Sequence, residues 1–291
     1  MRLKHLNFED NIENSAMHLS FGERNAFSIV LFMYECLTKN PDLVVLDDPI
    51  SSFDKSKKFA ILEMLFRGED SFRDKTVLML THDIEPAIDM IKIFGGRHFQ
   101  PMPVASFLKS RTGTIYEIEI SKSDILSFAQ ICDENIKSCD NDIIKSIYLR
   151  RHYEVVDDKG IEYQLLSNLF HKRVAPQIIE NDTERVMTQA EIDSASTSIQ
   201  EKLASFDYSM LINKVLDDSV MVDTYHTAQN GYEKLQIFRI INKDNHRNSV
   251  IKKYINESFH IENEHIMQLN PHKYDFVPDH IIVECDDMMV S

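Results

Sequence analysis

The sequence predicts an α/β protein: a lobe built on a parallel sheet, followed by a mainly α-helical domain. Three observations carry this. Residues 19–120 alternate short apolar runs with helical patterns, the order that builds a parallel α/β layer. Residues 121–291 read as almost wholly helical, polar and acidic. Charge shifts with composition: 14 basic against 18 acidic residues give −4 for residues 1–120, and 18 against 29 give −11 for the rest. The boundary falls near Ser121–Asp124, which gives domains of 1–120 and 121–291.

In chain order, Phe21–Asn40 has the apolar face and good formers of a buried helix, with Gly22 near its start and Asn40-Pro41 as its stop. Asp42–Asp48, DLVVLDD, is a short apolar run ending in two acids, as suits a strand buried on both faces of a parallel sheet. Pro49–Asp54 is a loop and Lys55–Arg67 a helix. Lys75–His82, KTVLMLTH, is a second buried strand with a polar end. Asp83–Phe94 is helical and Gly95-Gly96 ends it. Val104–Ser110 and Thr114–Ile120 form an antiparallel hairpin around Arg111-Thr112-Gly113. Further helices are expected at Ser123–Ser138, Asp142–Val155, Ile161–His171, Gln189–Ser205, Tyr225–Ile241 and Ser249–Ser258. The tail Phe276–Val290 packs as a last strand or helix, or meets a partner.

Composition narrows the classes. With 7 Gly and 8 Pro in 291 residues, the chain is neither low-complexity nor a flexible linker. It has no run of about 18 apolar residues, so no membrane partner is expected. The N-terminus carries charges where a signal peptide needs an apolar stretch. Cys36, Cys132, Cys139 and Cys285 lie in no metal-ligand spacing and suit reduced thiols, which points to a cytoplasmic protein. A net charge of −15 disfavours bulk nucleic-acid binding.

Four features carry chemistry. Leu19-Ser20-Phe21-Gly22-Glu23 opens a long helix, offering a hydroxyl, backbone N–H groups and the positive end of a helix dipole to a phosphate. Leu43–Pro49 places Asp47 at the tip of a buried strand, where an acid holds Mg²⁺ directly or through water. Asp48 beside it can orient and deprotonate an attacking water. Ser51-Ser52-Phe53-Asp54 follows, and Thr81-His82-Asp83 ends the next strand, where His82 can bond a γ-phosphate or the lytic water. Plainer roles stand beside these: a helix N-cap for Ser20 and for Asp54, a strand-end cap for the two acids, a satisfied strand-end histidine for His82.

In this order, the four features resemble the signature motif, Walker B motif, D-loop and H-loop of the C-terminal lobe of an ABC-type ATPase, over residues 15–120. LSFGERNAF and LDDPISSFD look closest to bacterial SMC-like ATPases of the PrrC/RloC type, which are associated with anticodon nucleases and phage defence. The resemblance implies ATP and Mg²⁺ as cofactors. It implies Asp47 as the Mg²⁺ ligand, Asp48 in the place of the catalytic glutamate and His82 as the switch histidine. Ser20, Gly22 and Glu23 would belong to the signature that reaches the partner's γ-phosphate across a homodimer, with Ser52 and Asp54 at the seam. Two departures matter. Asp48 is one methylene shorter than glutamate. A P-loop, G-x-x-x-x-G-K-[ST], is absent: none of Gly22, Gly68, Gly95, Gly96, Gly113, Gly160 and Gly231 is followed by lysine. The chain reads as a C-terminal lobe whose Walker A lobe is supplied in cis or in trans, and ATP hydrolysis is expected only with that lobe.

The helical part carries basic clusters at Arg150-Arg151-His152, His171-Lys172-Arg173 and Lys243–Lys253. The plain reading is a solvated helix face with i,i+4 pairs such as Arg150/Glu154. The sharper one is RNA handling. Arg150, Glu154 and His171 match by type the Arg, Glu and His set of PrrC-like nucleases, and Arg239 with His246 resembles the R-x(4–6)-H spacing of HEPN ribonucleases. Three functions follow: an ATP-site lobe in a bacterial defence or DNA-maintenance system, an RNA nuclease effector of anticodon type, and a non-enzymatic nucleotide-dependent dimerisation module. An RNA or DNA partner fits the first two.

Overall fold

The computed structural model describes residues 19–94, 103–111, 113–180, 183–242, 254 and 269–290. The helix end at Gly95-Gly96, the Lys243–Lys253 cluster with His246, and the helix expected over Ser249–Ser258 (Tyr254 apart) lie outside the described residues. The fold is mixed α/β and divides into two compact units, Met1–Pro103 and Val104–Ser291.

In the first unit, α1 (Phe21–Lys39) starts at the Ser20 N-cap and stops at Asn40, whose left-handed φ of 52° closes its end. β1 (Val44–Asp47) and β2 (Val77–Leu80) pair in parallel, Val44 opposite Val77 and Asp47 opposite Leu80. Between them, α2 (Lys55–Arg67) is N-capped by Asp54. After β2, α3 (Ile84–Asp89) continues into one π-helical stretch, Met90–Phe94. Ile29, Met33, Val44, Leu46, Ile50, Leu62, Leu65 and Phe72 form the heart of the core on one side of the sheet. The two strands were expected to be buried on both faces. Instead they alternate: Val45 and Leu78 stay 49% and 48% exposed.

The second unit begins with the hairpin β3 (Ala105–Arg111) and β4 (Thr114–Ile120), matching the expected pair to within a residue. The sequence groups this hairpin with the first region, whereas its contacts lie in the second. Phe107 meets Tyr274 and Phe276 edge to face, the Tyr274 hydroxyl donates to the Glu119 carbonyl at 2.8 Å, and Lys109 pairs with Asp275 at 3.0 Å. Helices α4 (Phe128–Ser138), α5 (Asp142–Val155) and α6 (Ile161–Phe170) then build the core. The helix expected from Ser123 starts instead at the Ser127 N-cap, after a 3₁₀ turn at Lys122–Asp124.

The second region is less purely helical than its composition suggests. An antiparallel hairpin, β5 (Gln177–Glu180) with β6 (Thr183–Val186), precedes α7 (Gln189–Lys202) and α8 (Tyr208–Leu216). The single helix expected over Tyr225–Ile241 is two, α9 (Asp218–Thr227) and α10 (Gly231–Ile241). They break where Asn230 caps α10 and Gly231 meets Val277 so closely that an added Cβ would sit 2.5 Å from its side chain. The tail forms α11 (Asp279–Val290). All four cysteines are buried and free, and burial pushes the thiols up, Cys285 to about 12.

Candidate functional site

Parallel pairing brings the two strand tips of the first unit together. Beyond the last rung, the Asp48 N–H donates to the Leu80 carbonyl at 2.8 Å, so Asp48 sits beside the chain as it leaves β2. Its φ of 46° is left-handed, a conformation that aspartate tolerates better than most side chains and one that marks sites needing an unusual side-chain direction. Here it turns the carboxylate toward the Thr81–Asp83 loop. Asp48 Oδ2 lies 3.2 Å from His82 Nδ1, and the Thr81 hydroxyl lies 3.4 Å from Asp48 Oδ1. The Asp48 side chain is 27% exposed and the His82 ring 79%, so the pair opens to solvent. Asp47, at the end of β1, is exposed on the same side as Val45.

The loop that carries His82 is anchored from behind. Asp83 N-caps α3 through the Glu85 N–H, and its carboxylate pairs with Lys58 from α2. Lys58 also lies 3.5 Å from Glu85. Burial opposes the Lys58 charge, but the two carboxylates outweigh it and hold its pKa above the ordinary lysine value. Asp83 is likewise held below the usual aspartate value, Lys58 and the Glu85 N–H outweighing its burial.

Ser20 and Glu23 face each other in a capping box. The Glu23 N–H donates to Ser20 Oγ at 3.3 Å, and the Ser20 N–H donates to Glu23 Oε2 at 2.7 Å. The Ser20 hydroxyl and N–H hold the Glu23 carboxyl below its ordinary pKa. Gly22 lies over Phe53, where a Cβ would make only an ordinary contact at 3.9 Å. One turn on, Asn25 Nδ2 donates to Ser52 Oγ at 2.7 Å, joining α1 to the Pro49–Asp54 loop, which buried Ile50 and Phe53 pin down. Asp54 caps α2 through the Lys57 N–H at 3.0 Å and pairs with Lys57 Nζ, which keeps its pKa low. Thus Asp48, Thr81 and His82 form one contact group, and Asn25 joins Ser52 to α1. Among the described residues, no three His, Cys, Asp or Glu side chains gather as a metal site.

In the second unit, Arg150 Nε donates to Ser167 Oγ and its Nη2 to the Tyr163 hydroxyl, both at 3.0 Å. Glu154 lies 3.6 Å from Arg150 and 2.7 Å from Arg151. These side chains are mostly buried, unlike the solvated face expected of them. Arg239, on α10, is held below the ordinary arginine pKa by burial and by the nearby Arg150 charge. His171 caps the end of α6 and is exposed.

Sequence reasoning gave no role to Asn25, Lys58 or Thr81. Thr81 stood beside a named histidine, but nothing local shows where its hydroxyl goes. Lys58 carries no signal that would single it out among Lys55, Lys57 and Lys58.

A stretch of this chain is similar to ABC transporter ATP-binding proteins. It is 29% identical over 82 residues to the zinc import ATP-binding protein ZnuC of Ehrlichia canis, covering 28% of this chain and 32% of that protein. It is 33% identical over 73 residues to ABC transporter ATP-binding proteins of Streptomyces coelicolor and Streptomyces avermitilis, covering 25% of this chain and 25% and 24% of theirs. The chain therefore spans a quarter to a third of the length of these curated relatives. No protein-family profile matches it, and no solved structure does. The chain carries an ABC ATPase-like region, and among its described residues no helix is long and apolar enough to cross a membrane.

Proposed function

We propose that this chain supplies the signature, Walker B and H-loop walls of a composite ABC-type ATP site, whose Walker A lobe is provided in cis or in trans. The observation that carries this is the Asp48–His82 pair at adjacent parallel strand tips, open to solvent. In this reading Asp48 takes a proton from the lytic water, and His82 orients that water by accepting from it at Nε2 as the reaction ATP + water to ADP + phosphate proceeds. Asp47 would hold Mg²⁺, which needs only one or two protein carboxylates when phosphates and waters fill its other positions. A single exposed carboxylate suits that ion. Ser20, Gly22 and Glu23 would face a second subunit's nucleotide, with Ser52 and Asp54 at the seam. The exposed Val45–Leu78 face is further support, since parallel strands are normally covered on both sides. The resemblance in wording favours a bacterial defence or DNA-maintenance system in the cytoplasm.

Phosphate release from Mg·ATP tests this. The chain alone should release none. Co-expressed with a neighbouring G-x-x-x-x-G-K-[ST] lobe it should turn ATP over, and Asp48→Asn should lower kcat by roughly a hundredfold while nucleotide stays bound. Unchanged turnover in Asp48→Asn rejects Asp48 as the base. Association without turnover in the wild-type complex selects the dimerisation module instead.

A second reading has one observation in its favour: Arg150, Glu154 and Arg239 come close enough for their charges to interact. A ribonuclease would use such a group on a scissile phosphate, with His171 or His246 as a further acid or base. Intact tRNA after incubation with the full chain rejects it; cleavage lost in Arg150→Ala supports it.

A further inference from the structure

Thr81 stands between the Asp48 carboxylate and the backbone that carries His82. Its Oγ1 accepts the Asp83 N–H at 3.0 Å, which fixes the oxygen and leaves one proton to donate. Two acceptors lie within reach: Asp48 Oδ1 at 3.4 Å and the Asp83 carbonyl at 3.5 Å. The ionised carboxylate is the stronger acceptor of the two. With Oδ1 so engaged, Oδ2 is the oxygen that meets His82 Nδ1 at 3.2 Å. An ionised carboxylate only accepts, so this approach favours the tautomer with its proton on Nδ1, which leaves Nε2 as the ring nitrogen that the exposed His82 presents to solvent. Behind the hydroxyl, the Asp83 backbone is held by its own carboxylate, which binds the Glu85 N–H at 3.1 Å and Lys58 of α2.

We propose that Thr81 is a positioning residue for the Asp48–His82 pair: its hydroxyl, steadied by the Lys58-anchored Asp83 turn, aims the Asp48 carboxylate so that His82 adopts the Nδ1–H form. The geometry of the three side chains carries this directly. Its consequence for turnover rests on the ATPase reading above.

The first test is free of nucleotide. At about pH 8.5, two units above the ordinary histidine value, ¹⁵N imidazole shifts report which His82 nitrogen holds the proton. Wild type and Thr81→Ser, which keeps the hydroxyl, should show Nδ1–H as the main form. Thr81→Val keeps the shape and the strand preference without the hydroxyl, and should cut that form at least twofold toward Nε2–H. Thr81→Ala reads the same signal if the valine variant misfolds by circular dichroism, and Asp48→Ala, which leaves no side-chain acceptor, marks full loss. An unchanged Nδ1–H fraction in Thr81→Val or Thr81→Ala overturns the proposal. In the lobe-complemented complex, Thr81→Val should lower kcat about tenfold with KM for ATP unchanged, and Thr81→Ser should restore it. A wild-type complex without turnover removes the ATPase reading, and the tautomer measurement still decides the role of Thr81.

Discussion

The two compact units spend their polar residues differently. In the first, Ser20, Glu23, Asp47 and His82 stand exposed at a helix start or at strand tips, over a core of twelve buried side chains among the described residues. In the second, thirty-five described side chains form the core, and charged groups are folded into it. Glu233 has no exposed surface there; it accepts from the Tyr148 hydroxyl and the Gln229 N–H, each at 3.0 Å, and lies 2.8 Å from His272 Nε2. Residue type alone therefore does not assign a task. Arg150 and Glu154 have the chemistry of a nuclease, yet most of their capacity goes to Tyr163, Ser167, Arg151 and each other. Asp48 and His82 have capacity left over, because a strand tip has neighbours on one side only.

The largest expected effect falls on the second unit. Glu233→Ala strands the Tyr148 hydroxyl and His272, and should cost about 4 kcal/mol in urea unfolding followed by tyrosine signals. The first unit's hydrogen-exchange protection should be untouched; equal loss in both would dissolve the contrast. Next, Leu62→Ala removes a fully buried side chain from the smaller core and should cost about 3 kcal/mol. With so few partners left, exchange protection of α1 and α2 should collapse while the second unit stays protected. Acid comes third. Burial opposes ionisation of Asp124, but Lys273 and Ser121 outweigh it and hold the carboxyl at about 2, against an ordinary 3.8. Its folded pKa is depressed, so its stabilisation, about 2 kcal/mol, is complete above pH 3.8 and fades as pH falls toward about 2. Thermal melts across that window should show a slope in wild type that flattens in Asp124→Asn. Smallest is Val45→Lys on the exposed sheet face, expected to change stability by less than about 0.5 kcal/mol. A large loss would mean that Val45 is covered in the native protein.

Local signals were legible where the chain makes its structure from near neighbours. Ser20 reads as a helix N-cap, to which the structure adds Glu23, three positions on, as the other half of a capping box, and the hairpin β3–β4 pairs strands that are neighbours in sequence. Apolar periodicity runs across Tyr225–Ile241 as if it were one helix, whereas Asn230-Gly231, a turn dipeptide, marks the break between α9 and α10. The pattern of many residues outweighed the chemistry of two. The hairpin β5–β6 went unseen for a related reason: four-residue strands are too short for a period-2 signal against helices on either side.

By itself the sequence determined the order of the motifs, the parallel α/β character of the first region, the absence of a lysine after any glycine, and the residue types available at each tip. These depend on the chain alone or on neighbours a few positions apart. Tertiary structure decided which groups meet and which are buried: that Asp48 turns to His82 and Thr81, that Tyr148 reaches Glu233 across 85 positions, that the hairpin β3–β4 packs with the second unit, and that Arg150 lies inside rather than on a wet face. Each outcome depends on desolvation and packing by distant segments, and no local pattern encodes that.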